Sequence, residues 1–447
     1  MRWAKIWALA ENYKNFVVEL FCLFIAAPAL YFPGKLPIWT VYFSLGLLLF
    51  IFIWRRWQLG ICFYSTPAAL PIFLLFTIFL PISVAVAPAS LRQEYSIPKA
   101  LILLWNFCLF WTIVTYSGCN KSHYKLGIIG FYSLGIVIAL VALLGTQWNS
   151  KIPGLSPLLY LLPQPFAKVF NDADGFNPNQ VAGTLSFILP LQIALLCKQL
   201  IGPRRFIITI LHILLLSITG AVFVVAQSRA ALAGLGLSLL IMLLMNWTIG
   251  RRLLSVSIIF MCITLPFFPF TSLLSDLDRS TVSQLYTENA SFVERQEIWQ
   301  RAIYAIHDFP FTGMGLGTFR KLVHILYPTF LIPNSLDFAH AHNFFLQCAV
   351  DFGVGGLIAV LSTYILAIWL LIQYILKPTS SISKWMANGL LGAIVAHSTF
   401  SMLDAIAMGS KTNLMYWYLF ALIFGLHRLH GGSFTEPELQ IDDQRKK

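Results

Sequence analysis

Residues 339–356 read AHAHNFFLQCAVDFGVGG. Before them runs the only long polar passage between hydrophobic stretches, starting near Leu273; after them the chain stays apolar to about residue 374. The join predicts an aqueous loop over 273–342 that feeds a membrane helix at 343–374. About 20 apolar residues are enough to cross a hydrocarbon core about 30 Å thick. Runs of that kind recur outward from this point, at 16–33, 37–54, 67–87, 98–117, 125–145, 178–198, 205–227, 229–248, 253–272, 384–405 and 412–429. The expected fold is therefore all-α, a polytopic membrane bundle of about twelve transmembrane helices with one large helical loop. Residues 1–430 form a single membrane domain in this reading, and 431–447 a polar, disordered tail.

Composition agrees. Of 447 residues, 58% are hydrophobic and 11% charged, against about 25% charged in soluble domains, and the mean hydropathy is +0.76. A soluble globular enzyme is excluded. The net charge of +12 is read as orienting Lys and Arg plus an anionic substrate, not as nucleic-acid binding. The seven cysteines are scattered and form no CxxC, so neither a disulfide framework nor a zinc site is expected. Met1–Asn15 is a basic lead-in without a cleavage site, so the first span is expected to be retained.

Charge then orients the chain. With the N-terminus in the cytoplasm, Arg55-Arg56, Lys121 with Lys125, Lys198 with Arg204-Arg205, Arg251-Arg252, Lys377 with Lys384, and the C-terminal basic residues all fall on one side. That is the positive-inside pattern. The loops 146–177 and 273–342 share the opposite face.

Three residues stand out on that face. His342, read as the opening residue of a long helix, would feel the positive end of the helix dipole, which favours a neutral imidazole able to take a proton; the plain alternative is a headgroup-level histidine. His340 is read as still in the loop. A helix is expected at about 292–307, opened by a capping box at Ser291 and Glu294. Glu297 and Arg301 form a solvated pair on its polar face. Arg295 falls on the apolar stripe, one turn before Ile298 and Trp299, so it must pair, snorkel, or face an anion. Arg229 sits in a tight outer turn, followed by small residues that permit close packing. It is costly there unless it faces the bundle interior.

Two weaker signals are set aside. Asp172-Ala-Asp174 has DxD spacing, but Asp-rich turns before helices are common. Gly313-Met-Gly-Leu-Gly317 has no preceding strand and no following Lys-Ser/Thr, so it is a helix stop and loop, not a nucleotide cradle. Two guanidiniums suited to a diphosphate and a base for an incoming hydroxyl suggest glycosyl transfer from a lipid diphosphate.

His342-Asn343, nine residues, Gly353, two residues, Gly356 resembles the signature of the bacterial O-antigen ligase and polymerase family. Glu294-Arg295 with Ile298-Trp299, Gly313–Phe319, Ser228-Arg229-Ala-Ala and Asn177-Pro178-Asn179 resemble its other landmarks. The resemblance covers roughly 170–360. It implies a GT-C-like inner-membrane glycosyltransferase with a periplasmic active site, acting without metal or nucleotide cofactor. The donor it implies is an undecaprenyl-diphosphate-linked glycan, and the acceptor a sugar hydroxyl such as that of lipid A-core. By resemblance His342 is the base or positioning group, Arg229 and Arg295 hold the pyrophosphate, and His340, Asn343 and Asn179 are supporting candidates. The rival within the family is a polymerase, which commonly has two large outer loops; here 146–177 is short beside 273–342. A rival of another class is an inorganic-carbon transporter, which the nearly uncharged mid-span regions disfavour.

Overall fold

The computed structural model describes residues 2–59, 66–146, 148, 176–201, 206–246, 279–330, 332, 338–376 and 381–430. Among them there is no strand, only one isolated bridge between Thr146 and Phe176. The helices are α1 (Arg2–Tyr31), α2 (Ile38–Leu59), α3 (Ala69–Val86), α4 (Ala89–Ser117), α5 (Lys121–Gly145), α6 (Pro178–Ile201), α7 (Phe206–Val225), α8 (Arg229–Asn246), α9 (Arg279–Asp308), α10 (Phe319–Leu326), α11 (Phe344–Leu376), α12 (Ser381–Leu403) and α13 (Leu414–Leu429).

Eight of these carry a stretch long and apolar enough to cross a membrane: α2 to α7, α11 and α12. Asn15–Tyr31 and Arg229–Met245 are shorter apolar helices. The chain is thus a polytopic helical membrane protein. Eleven of the twelve expected stretches coincide with described helices. The twelfth, 253–272, lies outside the described residues, as do Asp172, Asp174, most of the 146–177 loop and the 431–447 tail.

α12 is the hub of the site's half of the bundle, packing on α6, α8 and α11. Small residues set the spacing. A Cβ on Gly234 of α8 would stand 2.4 Å from the Ala396 carbonyl oxygen, and one on Gly392 would meet Ser238 and Met242. α8 and α12 therefore run antiparallel, with Arg229 and Asp404 at the same end. Exposed Phe, Ile and Leu side chains on α1, α2 and α7 face the lipid expected around such a bundle.

The segment before α11 has a core of its own. Ile298, Ala302 and Ala305 of α9 pack with Met314, Phe319, Val323, Phe338, Ala341 and Val350. α11 is bent where this core meets it. Gly353 adopts φ 73° and ψ 179° inside the helix, a left-handed backbone that favours glycine. The groups freed by the bend are taken by the incoming chain: Met314 N donates to Val350 O at 2.8 Å and Val354 N to Pro310 O at 2.7 Å. A Cβ at 353 would lie 2.6 Å from the Phe311 carbonyl oxygen. The glycine-rich turn, with positive φ at Gly313, Gly315 and Gly317, is thereby stitched onto the bundle.

Three expectations are corrected here. The loop helix starts at Arg279, not near 292, because 279–291 contains no Gly or Pro to stop it. Ser291 and Glu294 thus lie inside the helix and not at its start. Glu297 and Arg301 are not a solvated pair: both are buried and joined at 3.3 Å. Glu297 also accepts from Phe330 N at 2.6 Å, and the Arg301 guanidinium lies over the Tyr304 and Phe330 rings. The pair fastens Phe330 to α9. Finally, α11 begins at Phe344, so His342 stands outside it.

Candidate functional site

Asn343 is the residue that opens α11. Its side-chain oxygen accepts from Phe345 N at 3.0 Å and Leu346 N at 3.1 Å, as an N-cap should. Its amide nitrogen donates to Met402 O at 3.1 Å, tying the start of α11 to the end of α12. His342, one residue earlier, has φ 47°, an uncommon backbone for a residue with a side chain. Strain of this kind persists where surroundings over-determine it. Here they do: His342 N donates to His340 Nδ1 at 3.2 Å, Trp299 Nε1 donates to His342 O at 3.4 Å, and Ala341 N donates to Gln347 Oε1 at 2.7 Å.

The turn aims the His342 imidazole at Asp404, just beyond α12. Nδ1 stands 3.1 Å from Asp404 Oδ1, which also accepts from Ala405 N at 2.8 Å. Burial works against this carboxylate. The hydrogen bond from His342 and the charges of His340, His342 and Arg295 outweigh it and hold its pKa below the ordinary value. An ionised carboxylate can only accept, so Nδ1 carries a proton, and in the neutral ring the lone pair lies on Nε2. The group that orients the ring is Asp404, not the end of a helix dipole, because His342 stands outside α11.

The two histidines differ in access. The His342 side chain is 26% exposed and that of His340 6%. Burial, with the charges of His342, Lys99 and Arg295, pushes the His340 pKa down to about 4, against the pull of Asp404. His340 is thus a neutral bracket for the turn, and His342 is the ring a substrate can reach. Linkage gives a test. A buried histidine whose pKa falls from 6.5 to about 4 binds fewer protons folded than unfolded between those values. Stability should therefore decline as pH drops through that window, by up to about 3 kcal/mol. Melting curves of the protein and of H340N across pH 4 to 7 should show a shallower decline in the variant.

His340, His342 and Asp404 offer three potential metal-ligand atoms within 4.8 Å. As the hydrogen bonds stand, His340 Nδ1 accepts from the His342 amide, which leaves its proton on Nε2, and His342 Nδ1 donates to Asp404. A metal at this cluster would have to displace both ring protons. The Gln180 amide, 3.5 Å from His340 Nε2, can accept that proton with its oxygen turned inward.

Arg295 is half-buried, and its charge reaches both His340 and Asp404. It stands one turn from Trp299, the residue bonded to His342. Arg229, the first residue of α8, is exposed. It stands at the same end of the bundle as Asp404. Asn179 N donates to the Asn177 side chain, which caps α6; the neighbour that meets His340 is Gln180.

Asp404 was missed by sequence reasoning. Its signal was present: it is the one charged residue between Lys384 and Lys411, and a lone carboxylate at a membrane-helix end is a functional candidate by default. Lys99, whose charge acts on His340, is a second such residue.

Residues 213–361 match the family model described as O-antigen ligase. The match runs from α7 into α11 and takes in Arg229, Arg295, His340 and His342; Asp404 lies beyond it. No curated protein matches the chain. Together with the apolar helices, the family domain supports an integral membrane enzyme of the O-antigen ligase or polymerase type.

Proposed function

We propose that this chain, whose residues 213–361 carry the O-antigen ligase family domain, moves a glycan from undecaprenyl diphosphate to a sugar hydroxyl. The acceptor in this reading is lipid A-core or a related glycan, and the site faces the periplasm of the bacterial inner membrane. The observation that carries the reading is the His342–Asp404 pair at 3.1 Å, accessible on the imidazole side and within reach of the Arg295 charge.

The acceptor oxygen attacks the anomeric carbon from the side opposite the diphosphate, which inverts its configuration. His342 Nε2 takes the hydroxyl proton as the new bond forms. The bond from the anomeric carbon to the diphosphate oxygen breaks, and both electrons leave with the diphosphate. Arg295, with Arg229 at the same end of the bundle, stabilises that growing charge. Asp404 keeps His342 in the productive tautomer and steadies the imidazolium. The donor is already activated, so neither ATP nor a metal is required. The basic residues assigned to the cytoplasmic connections support termini inside and this site outside.

Arg295→Lys tests the phosphate role. A lysine keeps the charge and loses the planar fork, so kcat/KM for the lipid diphosphate donor should fall at least about tenfold. Unchanged kinetics in R295K would remove Arg295 from the site. Ligase and polymerase differ in the acceptor. A deletion strain analysed on gels should lose all lipid-A-attached polymer if this is the ligase. Single-unit products in that strain would make it the polymerase.

A further inference from the structure

Asp351 is the one charged residue between His342 and Lys377, and it is fully buried. An ionisable side chain inside an apolar helix is a functional candidate, and its partners say what it does. Asp351 Oδ1 accepts from Gly317 N at 2.8 Å and from Gln347 Nε2 at 2.9 Å. Lys99 supplies a counter-charge within electrostatic reach. Asp351 Oδ2 is buried with no hydrogen-bond partner among the described residues, a costly arrangement for a group kept only for stability.

Gln347 lies one turn earlier on the same face of α11 and is also buried. Its Oε1 accepts from Ala341 N at 2.7 Å. The two partners of this amide fix which way it points. The Asp351 oxygen must meet the Nε2 end, and the Ala341 N–H must meet the Oε1 end. Turned over, the amide would set oxygen against oxygen at Asp351 and N–H against N–H at Ala341. Ala341 separates His340 from His342, whose φ is 47°. One line of contacts thus runs from the glycine turn at Gly317, where φ is 72°, through Asp351 and Gln347 to the histidine turn. Asp351 also meets α3 through its carbonyl oxygen, which accepts from Ser83 Oγ. That bond does not involve the Gln347 amide.

We propose that Gln347 and Asp351 are positioning residues for the transfer step. Asp351 sets the Gln347 amide, and the amide holds the Ala341 N–H. The turn so held keeps the His342 imidazole against Asp404 and open to the acceptor hydroxyl. Neither side chain touches the reacting atoms, yet a shift of about 1 Å in a reacting group can cost about 10²-fold in rate. The inference rests on the transfer reading above and deepens it, by naming what holds the base in place.

Full-length protein in nanodiscs tests this with two readouts. One is kcat and KM for transfer. The other is the ring-nitrogen NMR spectrum of His342 at mildly alkaline pH, identified by its loss in H342A. Q347M keeps the length of the side chain and removes the amide. It should lower kcat at least about tenfold, leave the KM of donor and acceptor unchanged, and turn the single Nδ1–H tautomer of the wild type into a mixture. Q347E should do the same, because two carboxylates then face each other. The double variant Q347E/D351N should recover both kcat and the single tautomer, since the introduced carboxylate can accept from Ala341 N and from the introduced amide. S83A is the packing control: Tm should fall, with the kcat of the folded fraction and the ring spectrum unchanged. Wild-type kcat or an unchanged ring spectrum in folded Q347M overturns the proposal. A double variant no better than Q347E overturns it too, as do kcat losses that follow Tm alike in Q347M and S83A. If Q347M does not fold, Q347E and the double variant make the same comparison. Failure of the transfer reading looks different: the wild type would transfer no glycan while the ring spectra still change as described.

Discussion

Replacing His342 with Ala should lower glycan transfer by about 10²- to 10⁴-fold, the usual worth of a positioned proton acceptor. The side chain is partly exposed and contributes little to either core, so the protein should still fold. Its loss leaves Asp404 without its imidazole partner, at a cost of order 1–3 kcal/mol. A melting curve should therefore show a lowered but cooperative transition. Transfer at the wild-type rate from a folded H342A protein would remove His342 from the chemistry.

Asp404→Asn should have an effect of similar size by a different route. The asparagine is nearly the same shape, and its amide can donate to His342 Nδ1. That moves the ring proton to Nε2, the atom that must accept. An equivalent exchange beside a catalytic histidine costs about 10⁴ in kcat. Here the loss should appear in kcat, with the KM of donor and acceptor little changed. A residue with only a structural role would lower Tm and leave the kcat of the folded fraction intact. Full kcat in D404N would show that the carboxylate does not orient the ring.

Much of this was legible in the chain, and for physical reasons. Long apolar runs in a protein with so few charges have one stable home, so the described helices fall where hydropathy put them. The histidine turn was readable as well, because a polar loop re-entering an apolar helix must pass through a capped start. Which residue does the capping was not. Asn343 takes that place and His342 is displaced sideways with φ 47°, a backbone choice enforced by Trp299, His340 and Gln347 from distant parts of the chain.

The partners of the site were the least legible. Asp404 is 62 residues from His342, and nothing local signals that the ends of α11 and α12 meet. Glu297 and Arg301 have the spacing of an exposed helix pair, yet Phe330 folds over them. The extent of α9 also escaped, since a capping box is a local pattern and the helix continues through it.

The account stands on transfer chemistry at the His342–Asp404 pair, and one measurement addresses it directly. Purified full-length protein in proteoliposomes is given an undecaprenyl-diphosphate-linked glycan and a lipid A-core acceptor, without added metal or nucleotide. Mass spectrometry should find the glycan on the acceptor with inverted anomeric configuration, and free undecaprenyl diphosphate in equal amount. Both donor and acceptor recovered intact from folded wild-type protein, or product formed equally well by H342A, would contradict it.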